Sequence, residues 1–317
     1  MFKTNDFGDN TTKFTIVAGA YSVSILDRGA ILQSFKYKDR DIVLGYDDTY
    51  GYINNDNYFG EVVGPFANRI KNATYKDALG VHVLDKNDGD NNLHSGSKNY
   101  GYKKWRLKEF GDDYLILNLV SKKEGGFPSS EDVSVCYSLS ENGEMRIDYE
   151  VSADTLCPVN ITNHAFFNLN GYGDILSHTL SMPSSHYIEV DSQLIPTEIM
   201  PSEKTDFDFT SPVEIGKRRD GKYDHCFILD KPGDIVLEGN ELKLRVKTDL
   251  PSVQLYTGSA LKSNQKGKYG IDYSSFSGLC LETEYYPDFV SRKDFKGAWS
   301  DQNSIVMTST SFILEAK

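Results

Sequence analysis

The chain has 317 residues, of which 39% are hydrophobic and 25% charged, as in an ordinary globular protein. Its formal net charge of −12 argues against nucleic acid or an anionic membrane as a partner, because both attract basic surfaces. The sequence has no apolar amino-terminal segment and no run of 18 apolar residues, so it predicts neither a secretion signal nor a membrane span.

Alternating apolar and polar residues dominate the chain, a pattern that is typical of half-buried strands. In chain order, the stretch 13–37 predicts successive strands broken at Gly19 and at 27–29. The carboxyl-terminal stretch 304–317 predicts a further strand that could close the sheet. Hairpin turns between alternating runs are predicted at 111–113, 142–143 and 239–240.

No window of twelve or more residues shows convincing helical spacing, and no linker or low-complexity tract interrupts the chain. The length would allow two average domains, but large all-β folds often form one unit. We therefore predict an all-β fold, a large antiparallel β-sandwich in a single domain that spans residues 1–317.

Cysteine and histidine spacing indicates neither a disulfide scaffold nor a metal site. The four cysteines are far apart, with no CxxC pair, and we interpret them as reduced thiols of a cytoplasmic protein. The six histidines show no HxH or HExxH spacing, and no GxGxxG or P-loop motif occurs, so no metal or nucleotide cofactor is predicted. The cysteines are Cys136, Cys157, Cys226 and Cys280.

Polar side chains cluster in a few strand-to-loop stretches instead of being spread evenly. An unpaired charge inside an apolar strand is costly, so such residues need a partner or a ligand. Amides, guanidinium groups and carboxylates together suit a ligand covered in hydroxyls, since hydroxyls both donate and accept hydrogen bonds. The candidate residues are Asn68, Arg69, His94, His164, Asp224, Gln254, Glu282 and Glu284.

Each candidate also has an ordinary structural interpretation. A buried histidine more often completes a hydrogen-bond network than it catalyses a reaction. Asn68-Arg69 could form a turn with a surface ion pair, and Asp224 could form an Asx-turn. Gln254 could face solvent, and Glu282 would merely be exposed if its side of the strand met water.

Six stretches occur in the order and spacing of a known family: GPFANRI, NNLHSG, PVNITNHAFFNLNG, YDHCF, LYTG and LETEYYPD. Together, over roughly residues 59–288, they resemble the aldose 1-epimerase (galactose mutarotase) family. The resemblance implies a galactose mutarotase-like supersandwich with a substrate cleft. It also implies an isomerase whose partner is a small free sugar of the galactose and glucose class, without a metal or a nucleotide.

The resemblance further implies a role for each matched residue. His164 matches the general acid that protonates the ring oxygen, and Glu282 matches the general base that takes the proton of the anomeric hydroxyl. An acid and a base, each worth ~10²–10⁴-fold in rate, would suffice for sugars that already mutarotate in water. The matched positions that hold or support the sugar are Asn68, Arg69, His94, Asp224 and Gln254.

Four asparagines surround His164 in the stretch 158–171, although asparagine is disfavoured in strands because its amide competes for backbone hydrogen bonds. An imidazole that acts as an acid must be held in one orientation, and neighbouring amides can do this. We hypothesise that Asn160, Asn163 and Asn168 support the imidazole, with capping of strand ends as the alternative.

The chain departs from the family pattern at several positions. Pro65 stands where many members carry arginine, Phe166 replaces a commoner tyrosine, and Ser291 replaces a usual asparagine. Glu284 replaces a frequent glutamine, and if it faces the cleft it raises the pKa of Glu282 by like-charge repulsion. Both acid–base residues are retained, so activity is expected.

Three other functions are compatible with the sequence. A glycoside hydrolase needs two carboxylates that flank the scissile bond, whereas the strongest constellation here has one carboxylate and one histidine. A non-catalytic sugar-binding or sensing protein would need neither a catalytic carboxylate nor a catalytic histidine. The third is an epimerase for another aldose, a disaccharide or a sugar phosphate. Loops such as 122–130 are expected to lie at the surface or the cleft edge and to set what extends beyond the reacting ring.

Overall fold

The computed structural model describes residues 1–54, 57–230 and 233–317. This part of the chain contains 28 strands and one α-helix, α1 (Thr49–Ile53). The helix is five residues long and is capped by the preceding Asp48, whose side chain accepts a hydrogen bond from the Gly51 N–H. The prediction of an all-β chain is therefore confirmed, and none of the described helices is long and apolar enough to cross a membrane.

The described strands range from two to eleven residues in length. In chain order the first fourteen are β1 (Phe2–Gly8), β2 (Thr11–Ala18), β3 (Tyr21–Leu26), β4 (Leu32–Tyr37), β5 (Arg40–Asp41), β6 (Val62–Val63), β7 (Arg69–Ile70), β8 (Thr74–Asp77), β9 (Gly80–Val83), β10 (Asn92–Leu93), β11 (Arg106–Phe110), β12 (Tyr114–Ser121), β13 (Glu131–Leu139) and β14 (Glu144–Ala153). The others are β15 (Cys157–Val159), β16 (Thr162–Asn163), β17 (Phe166–Phe167), β18 (Thr179–Ser181), β19 (His186–Val190), β20 (Pro196–Pro201), β21 (Val213–Glu214), β22 (Asp224–Ile228), β23 (Ile235–Glu238), β24 (Leu242–Thr248), β25 (Ser252–Tyr256), β26 (Leu279–Glu284), β27 (Ala298–Ser300) and β28 (Val306–Ala316). Single turns of 3-10 helix lie at Lys71–Ala73, Gly96–Lys98, Tyr100–Tyr102, Ile215–Lys217, Arg219–Gly221 and Lys268–Gly270.

Three antiparallel sheets form most of the molecule. The first has the strand order β1-β2-β3-β4-β5, and the second has the order β11-β12-β13-β14-β28-β24-β23-β18-β21. The third has the order β17-β26-β25-β22-β19-β20 and carries Asp224, Gln254 and Glu282. Short two-stranded sheets form between the loops that surround these three sheets, namely β6–β16, β7–β10, β8–β9 and β15–β27.

The predicted strand breaks and hairpin turns are confirmed. Gly19 separates β2 from β3, and residues 27–29 lie between β3 and β4. The predicted turns join β11 to β12, β13 to β14 and β23 to β24, and each of these pairs is antiparallel. The carboxyl-terminal strand β28 does enter a sheet, but it lies between β14 and β24 at the centre of that sheet instead of closing an edge.

The three sheets share one large apolar core. Fully buried side chains come from each sheet, for example Ile16 of β2, Tyr137 of β13 and Leu281 of β26. Burial of each such side chain contributes roughly 1.5–3 kcal/mol. Because side chains alternate along a strand, Glu282 faces the side of the third sheet opposite to Leu281, and a cavity lies on that side.

Candidate active site

Three neighbouring strands of the third sheet place polar side chains side by side. Gln254 of β25 lies opposite Glu282 of β26 and opposite Cys226 of β22. Asp224 is two residues before Cys226 and therefore shares that face. The Gln254 amide donates to Asp224 Oδ1 at 2.6 Å, so Asp224, Gln254 and Glu282 form one polar row.

His164 reaches this row from the short connection between β16 and β17. Since β17 pairs with β26, the imidazole is brought next to Glu282. The distance from His164 Nε2 to Glu282 Oε1 is 3.7 Å, and both side chains are buried. The backbone of His164 is fixed from two directions: its N–H donates to the Glu61 carbonyl, and its carbonyl accepts from the Gly60 N–H.

Two further loops that pair with each other bring in Asn68, Arg69 and His94. Arg69 lies in β7, and His94 directly follows β10, the partner of β7. The Asn68 N–H donates to His94 Nδ1 at 3.1 Å, and the His94 N–H donates to the Asn68 carbonyl. Both residues adopt left-handed conformations, with φ of 67° at Asn68 and 51° at His94, which these reciprocal contacts maintain. Arg69 Nε donates to Asp88 Oδ2 at 2.7 Å.

These side chains line one cavity of about 430 Å³, within the roughly 300–1,000 Å³ that small-molecule sites occupy. All residues assigned to the site from the sequence lie on its wall, namely Asn68, Arg69, His94, His164, Asp224, Gln254 and Glu282. The fold thus brings the seven candidates together, and the individual roles assigned to them stay predictions.

Other residues that the sequence did not assign to the site also line the cavity. Tyr58 packs its ring near both imidazoles, with centroid distances of 4.8 Å to His94 and 5.6 Å to His164. Leu194 lies in the turn between β19 and β20 in a left-handed conformation, with φ of 60°. Single apolar or small residues in turns form no motif, so sequence reasoning did not find them. The remaining ones are Asn57, Leu93, Phe166, Tyr256, Ser259 and Ala260. Of these, Leu93 and Tyr256 lie within the stretches NNLHSG and LYTG without an assigned role, and Phe166 stood out as a departure from the family pattern.

The loop 122–130 does not contribute to this cavity. The carbonyl of Gly125 accepts the Asp85 N–H at 3.2 Å, so the loop packs against that neighbouring segment. None of its residues lies on the described cavity wall. The expectation that this loop sets what extends beyond the reacting ring stays a prediction, while Leu194, Ser259 and Ala260 lie on the cavity wall itself.

His94 is arranged as a hydrogen-bond donor toward the cavity. Its Nδ1 accepts the Asn68 N–H, so the neutral ring carries its proton on Nε2. Burial, with the nearby His164 and Arg69, lowers the pKa of His94 well below its usual value and keeps the ring neutral near pH 7. The Nε2–H can therefore donate to a ligand oxygen.

The ligand atoms of His94, His164 and Glu282 all lie within 4.8 Å of one another, close enough to be considered as metal ligands. A histidine ligates a metal through an unprotonated nitrogen and usually donates its other N–H to an acceptor. His94 has the reverse arrangement, because its Nδ1 accepts and its Nε2 carries the proton. This donor set fits a ligand bearing hydroxyls better than a metal ion.

Burial opposes charge on both members of the His164–Glu282 pair. It lowers the pKa of His164 to about 4. It raises the pKa of Glu282 well above the usual value, and repulsion from Glu284 and Asp224 adds to this effect. The imidazole is therefore neutral near pH 7 and the Glu282 carboxylate is disfavoured, so these shifts favour the carboxyl over the imidazole as the site of a proton that the two share.

Glu284 lies on the same face of β26 as Glu282 and is fully buried. Its carboxylate accepts N–H groups from Asn68 and Asn160, both at 3.2 Å. Burial raises the pKa of Glu284 to about 8, and its charge raises the pKa of Glu282. The repulsion expected from the sequence is therefore present, although the described cavity wall does not include Glu284.

The asparagines around His164 hold backbone segments and not the imidazole. Asn163 donates to the Gly60 carbonyl at 2.8 Å, and Asn160 and Asn168 likewise bond to carbonyls of other segments. Among the described contacts of these amides, none reaches the ring. The hypothesis of direct support is therefore wrong, and Asn163 acts indirectly, through the Gly60 backbone that bonds to the His164 carbonyl.

The fold and the cavity together define a class of protein: a β-sandwich with a buried histidine and glutamate side by side in a polar cavity that suits a small hydroxylated ligand. The family model described as aldose 1-epimerase matches residues 12–304. The chain therefore belongs to the aldose 1-epimerase family, and it is an isomerase that interconverts the anomers of an aldose.

Individual relatives are similar over most of the chain. Galactose mutarotase of Bos taurus is 35% identical over 301 residues, which cover 89% of this chain and 88% of that protein. Aldose 1-epimerase of Escherichia coli (strain K12) is 30% identical over 289 residues, or 84% and 83% of the two chains. A solved aldose epimerase homologue from C. elegans has a TM-score of 0.92 at 24% identity, covering 96% of this chain and 99% of that one, and thus shares the fold.

Proposed function

We propose that the protein catalyses mutarotation of a free aldose of the galactose and glucose class, with His164 as general acid and Glu282 as general base. The observation that carries this proposal is the 3.7 Å approach of His164 Nε2 to Glu282 Oε1 in a cavity lined by polar side chains. The similarity to bovine galactose mutarotase and E. coli aldose 1-epimerase supports this substrate class.

The cavity offers both donors and acceptors to the hydroxyls of a sugar. His94 donates from Nε2, and Arg69, whose Nε is bonded to Asp88, donates from its terminal nitrogens. Asp224 accepts through its carboxyl oxygens, one of which already accepts a hydrogen bond from the Gln254 amide. A sugar hydroxyl can satisfy either kind of group, whereas an apolar ligand would leave all of them unpaired.

Mutarotation requires one proton to be delivered and another to be removed. Glu282 takes the proton of the C1 hydroxyl while His164 donates to the ring oxygen, the bond between C1 and the ring oxygen breaks, and C1 becomes an aldehyde. Rotation about C1–C2 then presents the other face of the carbonyl. On reclosure the former ring hydroxyl attacks C1 and returns its proton to His164, while Glu282 returns its proton to the carbonyl oxygen. Neither residue forms a bond to carbon.

The chemistry starts with the single proton of the pair on the imidazole, whereas burial alone favours the carboxyl as its site. A C1 hydroxyl that donates to Glu282 stabilises the carboxylate, and a ring oxygen that accepts from His164 stabilises the imidazolium. Sugar binding therefore favours transfer of the proton from the Glu282 carboxyl to the His164 imidazole, where the reaction requires it.

A glycoside hydrolase is the second candidate, because Asp224 and Glu282 supply two carboxylates on one cavity wall. That reaction would cleave a glycosidic bond and would not need the imidazole to recover its proton from a ring hydroxyl. The two proposals therefore differ in substrate: a free reducing sugar for the isomerase, and a glycoside for the hydrolase.

A cytoplasmic location and a small sugar as partner belong to the same proposal. The four cysteines are all free, and burial raises the pKa of each thiol, which suits a reducing compartment. The net charge of −12 favours a small neutral partner over nucleic acid.

Polarimetry of freshly dissolved α-D-galactose and α-D-glucose tests the proposed reaction. The wild-type protein should speed the approach to the final rotation, and His164→Ala and Glu282→Gln should each lower the catalysed rate by ~10²–10⁴-fold. His186→Ala and Glu150→Gln change exposed residues of the same two types and should keep full activity.

Full activity of either site variant would remove that residue from the mechanism. Release of reducing ends from a nitrophenyl galactoside, without acceleration of mutarotation, would favour the hydrolase. Sugar binding that persists in Glu282→Gln, with no turnover in any form, would identify a binding or sensing protein.

A further inference from the structure

A second concave surface lies apart from the cavity around His164. It consists of two adjoining cavities of about 290 Å³ and about 700 Å³. The two share Asp41, Gly171, Tyr172 and Tyr269, so they form one continuous depression, called here the Tyr172–Tyr269 groove. None of the described residues that line this groove lines the cavity around His164.

Two exposed tyrosines stand where the two parts of the groove meet. Tyr172 is 70% exposed and Tyr269 is 61% exposed, so both rings present surface to a ligand, with Lys36 Nζ over one face of the Tyr269 ring at 5.4 Å. A tyrosine offers a flat apolar ring face together with a hydroxyl that can hydrogen-bond. Such a ring suits a pyranose, which has an apolar face of C–H bonds and a rim of hydroxyls.

The protein holds both tyrosines on well-bonded loops. Asn168, one of the asparagines of the amide-rich stretch, donates to the carbonyls of Tyr172 and Gly173 at 3.3 and 3.1 Å. The backbone N–H of Tyr269 donates to Asp47 Oδ2 at 2.8 Å. A ligand would thus meet rings whose loops are already ordered, and this lowers the entropic cost of binding.

The cationic side chains that line the groove are already engaged. Three of them form ion pairs, and the fourth, Lys38, lies over the ring of Tyr37 at 5.0 Å. Phosphates and other anions are bound by cations that are free to face them. The groove therefore favours a neutral ligand. The ion pairs are Lys268–Asp41, Arg40–Glu241 and Lys317–Glu238, at 2.8, 2.6 and 2.7 Å.

We propose that the Tyr172–Tyr269 groove binds a neutral oligosaccharide without converting it. Its two connected parts suit a ligand longer than one sugar unit, with the tyrosines beneath neighbouring rings. The described lining contains no histidine, so the groove has no counterpart of the His164–Glu282 pair. Hydroxyl and carboxylate partners for the sugar come from Asp174, Ser274 and Ser275.

Calorimetric titration of the whole protein with reduced maltohexaose, cellohexaose and β-1,4-galactohexaose tests this site. Reduction of the terminal sugar removes the anomeric centre, so these probes cannot be substrates of the isomerase. At least one probe should bind with a Kd below about 5 mM. Tyr172→Ala and Tyr269→Ala should each weaken that binding by about tenfold, whereas Tyr50→Ala, which removes a tyrosine 67% exposed elsewhere, should leave it unchanged.

Mutarotation of galactose should proceed at the wild-type rate in Tyr172→Ala and Tyr269→Ala, and the bound probe should not inhibit it. Failure of all three probes to bind, or equal binding by wild type and the two groove variants, would overturn the proposal. Competition between probe and galactose would place the binding in the catalytic cavity and would overturn it as well. None of these results depends on whether His164 and Glu282 carry the isomerisation.

Discussion

Glu284 places a second acid directly beside the proposed base on β26. A glutamine, the residue that the family pattern favours there, would carry no charge. In this chain the repulsion from Glu284 adds to burial and raises the pKa of Glu282. A base works only when deprotonated, so this repulsion moves the acid-side fall in activity to higher pH.

Glu284→Gln should therefore shift the acid limb of the pH–rate profile to lower pH. Removing the neighbouring charge makes the Glu282 carboxylate easier to form, so activity should persist at pH values where the wild-type enzyme is already protonated. The charge of Glu284 is present only near and above its own pKa of about 8, so the measurement is kcat/KM for galactose from about pH 6 to about pH 10. A mere packing defect would lower the rate by the same factor at every pH without moving the limb, and that result would contradict the assigned role of Glu284.

His94 offers a second prediction at this scale, because its two ring nitrogens have different tasks. An asparagine in its place can still accept the Asn68 N–H and tolerates the left-handed backbone at φ of 51°, but it lacks the Nε2–H. An alanine lacks both contacts. His94→Asn and His94→Ala should each lower kcat/KM by roughly 10- to 100-fold, the effect of one lost hydrogen bond to a buried partner.

Thermal unfolding separates the two variants of His94. Only His94→Ala leaves the buried Asn68 N–H without its acceptor, so only this variant should lose stability, by roughly 1–3 kcal/mol. Wild-type activity in His94→Asn would show that the sugar makes no use of the Nε2–H.

The sequence indicated which residue types gather at the site but not how each is held. Ordered motifs predicted all seven side chains, because six of them lie within a motif and Gln254 directly precedes LYTG. The tautomer of His94 depends instead on a contact with Asn68, 26 residues away, and the role of Asn163 depends on Gly60. No local sequence pattern predicts contacts between loops that are distant in the chain.

The secondary-structure elements also fall into two groups: those that the local sequence predicts and those that form only through contacts between distant segments. The turn at 142–143 was predictable because Asn-Gly favours the backbone of a tight hairpin, and β13 and β14 pair on either side of it. The two-residue strands β6 and β16 form only because separate loops meet, with Thr162 opposite Val63. His164 directly follows such a pair, so its position could come only from the family resemblance.

The turn between β19 and β20 carries a prediction about substrate binding. Leu194 lines the cavity from this turn with φ of 60°, and its N–H donates to the Asp191 carbonyl. Leu194→Gly and Leu194→Ala both remove the side chain that contacts the substrate. KM should therefore rise roughly two- to tenfold with kcat little changed, because such a contact stabilises the bound substrate and the transition state equally.

Glycine alone also relieves the left-handed backbone at this position. The glycine variant should therefore be more stable than the alanine variant by roughly 1 kcal/mol in thermal unfolding. Leu79→Ala removes an exposed leucine outside the cavity wall and serves as the control for KM. A fall in kcat at unchanged KM would contradict a role confined to binding.

At the scale of the whole molecule, long-range pairing ties the two ends of the chain together. The main core takes residues from Phe14 to Leu314, and β28 joins β14 to β24. These contacts support the prediction of one domain over residues 1–317, which stays a prediction.

The large core contains several buried ionisable groups, and their pKa shifts make the free energy of unfolding depend on pH.

Two sets of groups act in opposite directions. Burial raises the pKa of Glu61 to about 7 and that of Glu284 to about 8, so the folded protein holds protons that the unfolded chain releases above its ordinary pKa near 4.5. Their contribution to stability is present at low pH and is lost as the pH rises through about 7 to 8. Burial lowers the pKa of His164 and His178 to about 4, so their contribution is present above the ordinary value of 6.5 and is lost as the pH falls toward 4.

From about pH 7 to about pH 8.5 the histidines are already mostly neutral in the unfolded chain, so the carboxyls dominate and the free energy of unfolding should fall as the pH rises. Thermal unfolding at constant ionic strength should show a Tm lower by at least roughly 2–4 °C at the upper pH. Glu284→Gln removes one of the responsible groups and should make this fall smaller, while Glu150→Gln, at an exposed position, should leave it unchanged. A Tm that stays constant or rises over this interval would mean that Glu61 and Glu284 are ionised in the folded protein at neutral pH, which their burial argues against.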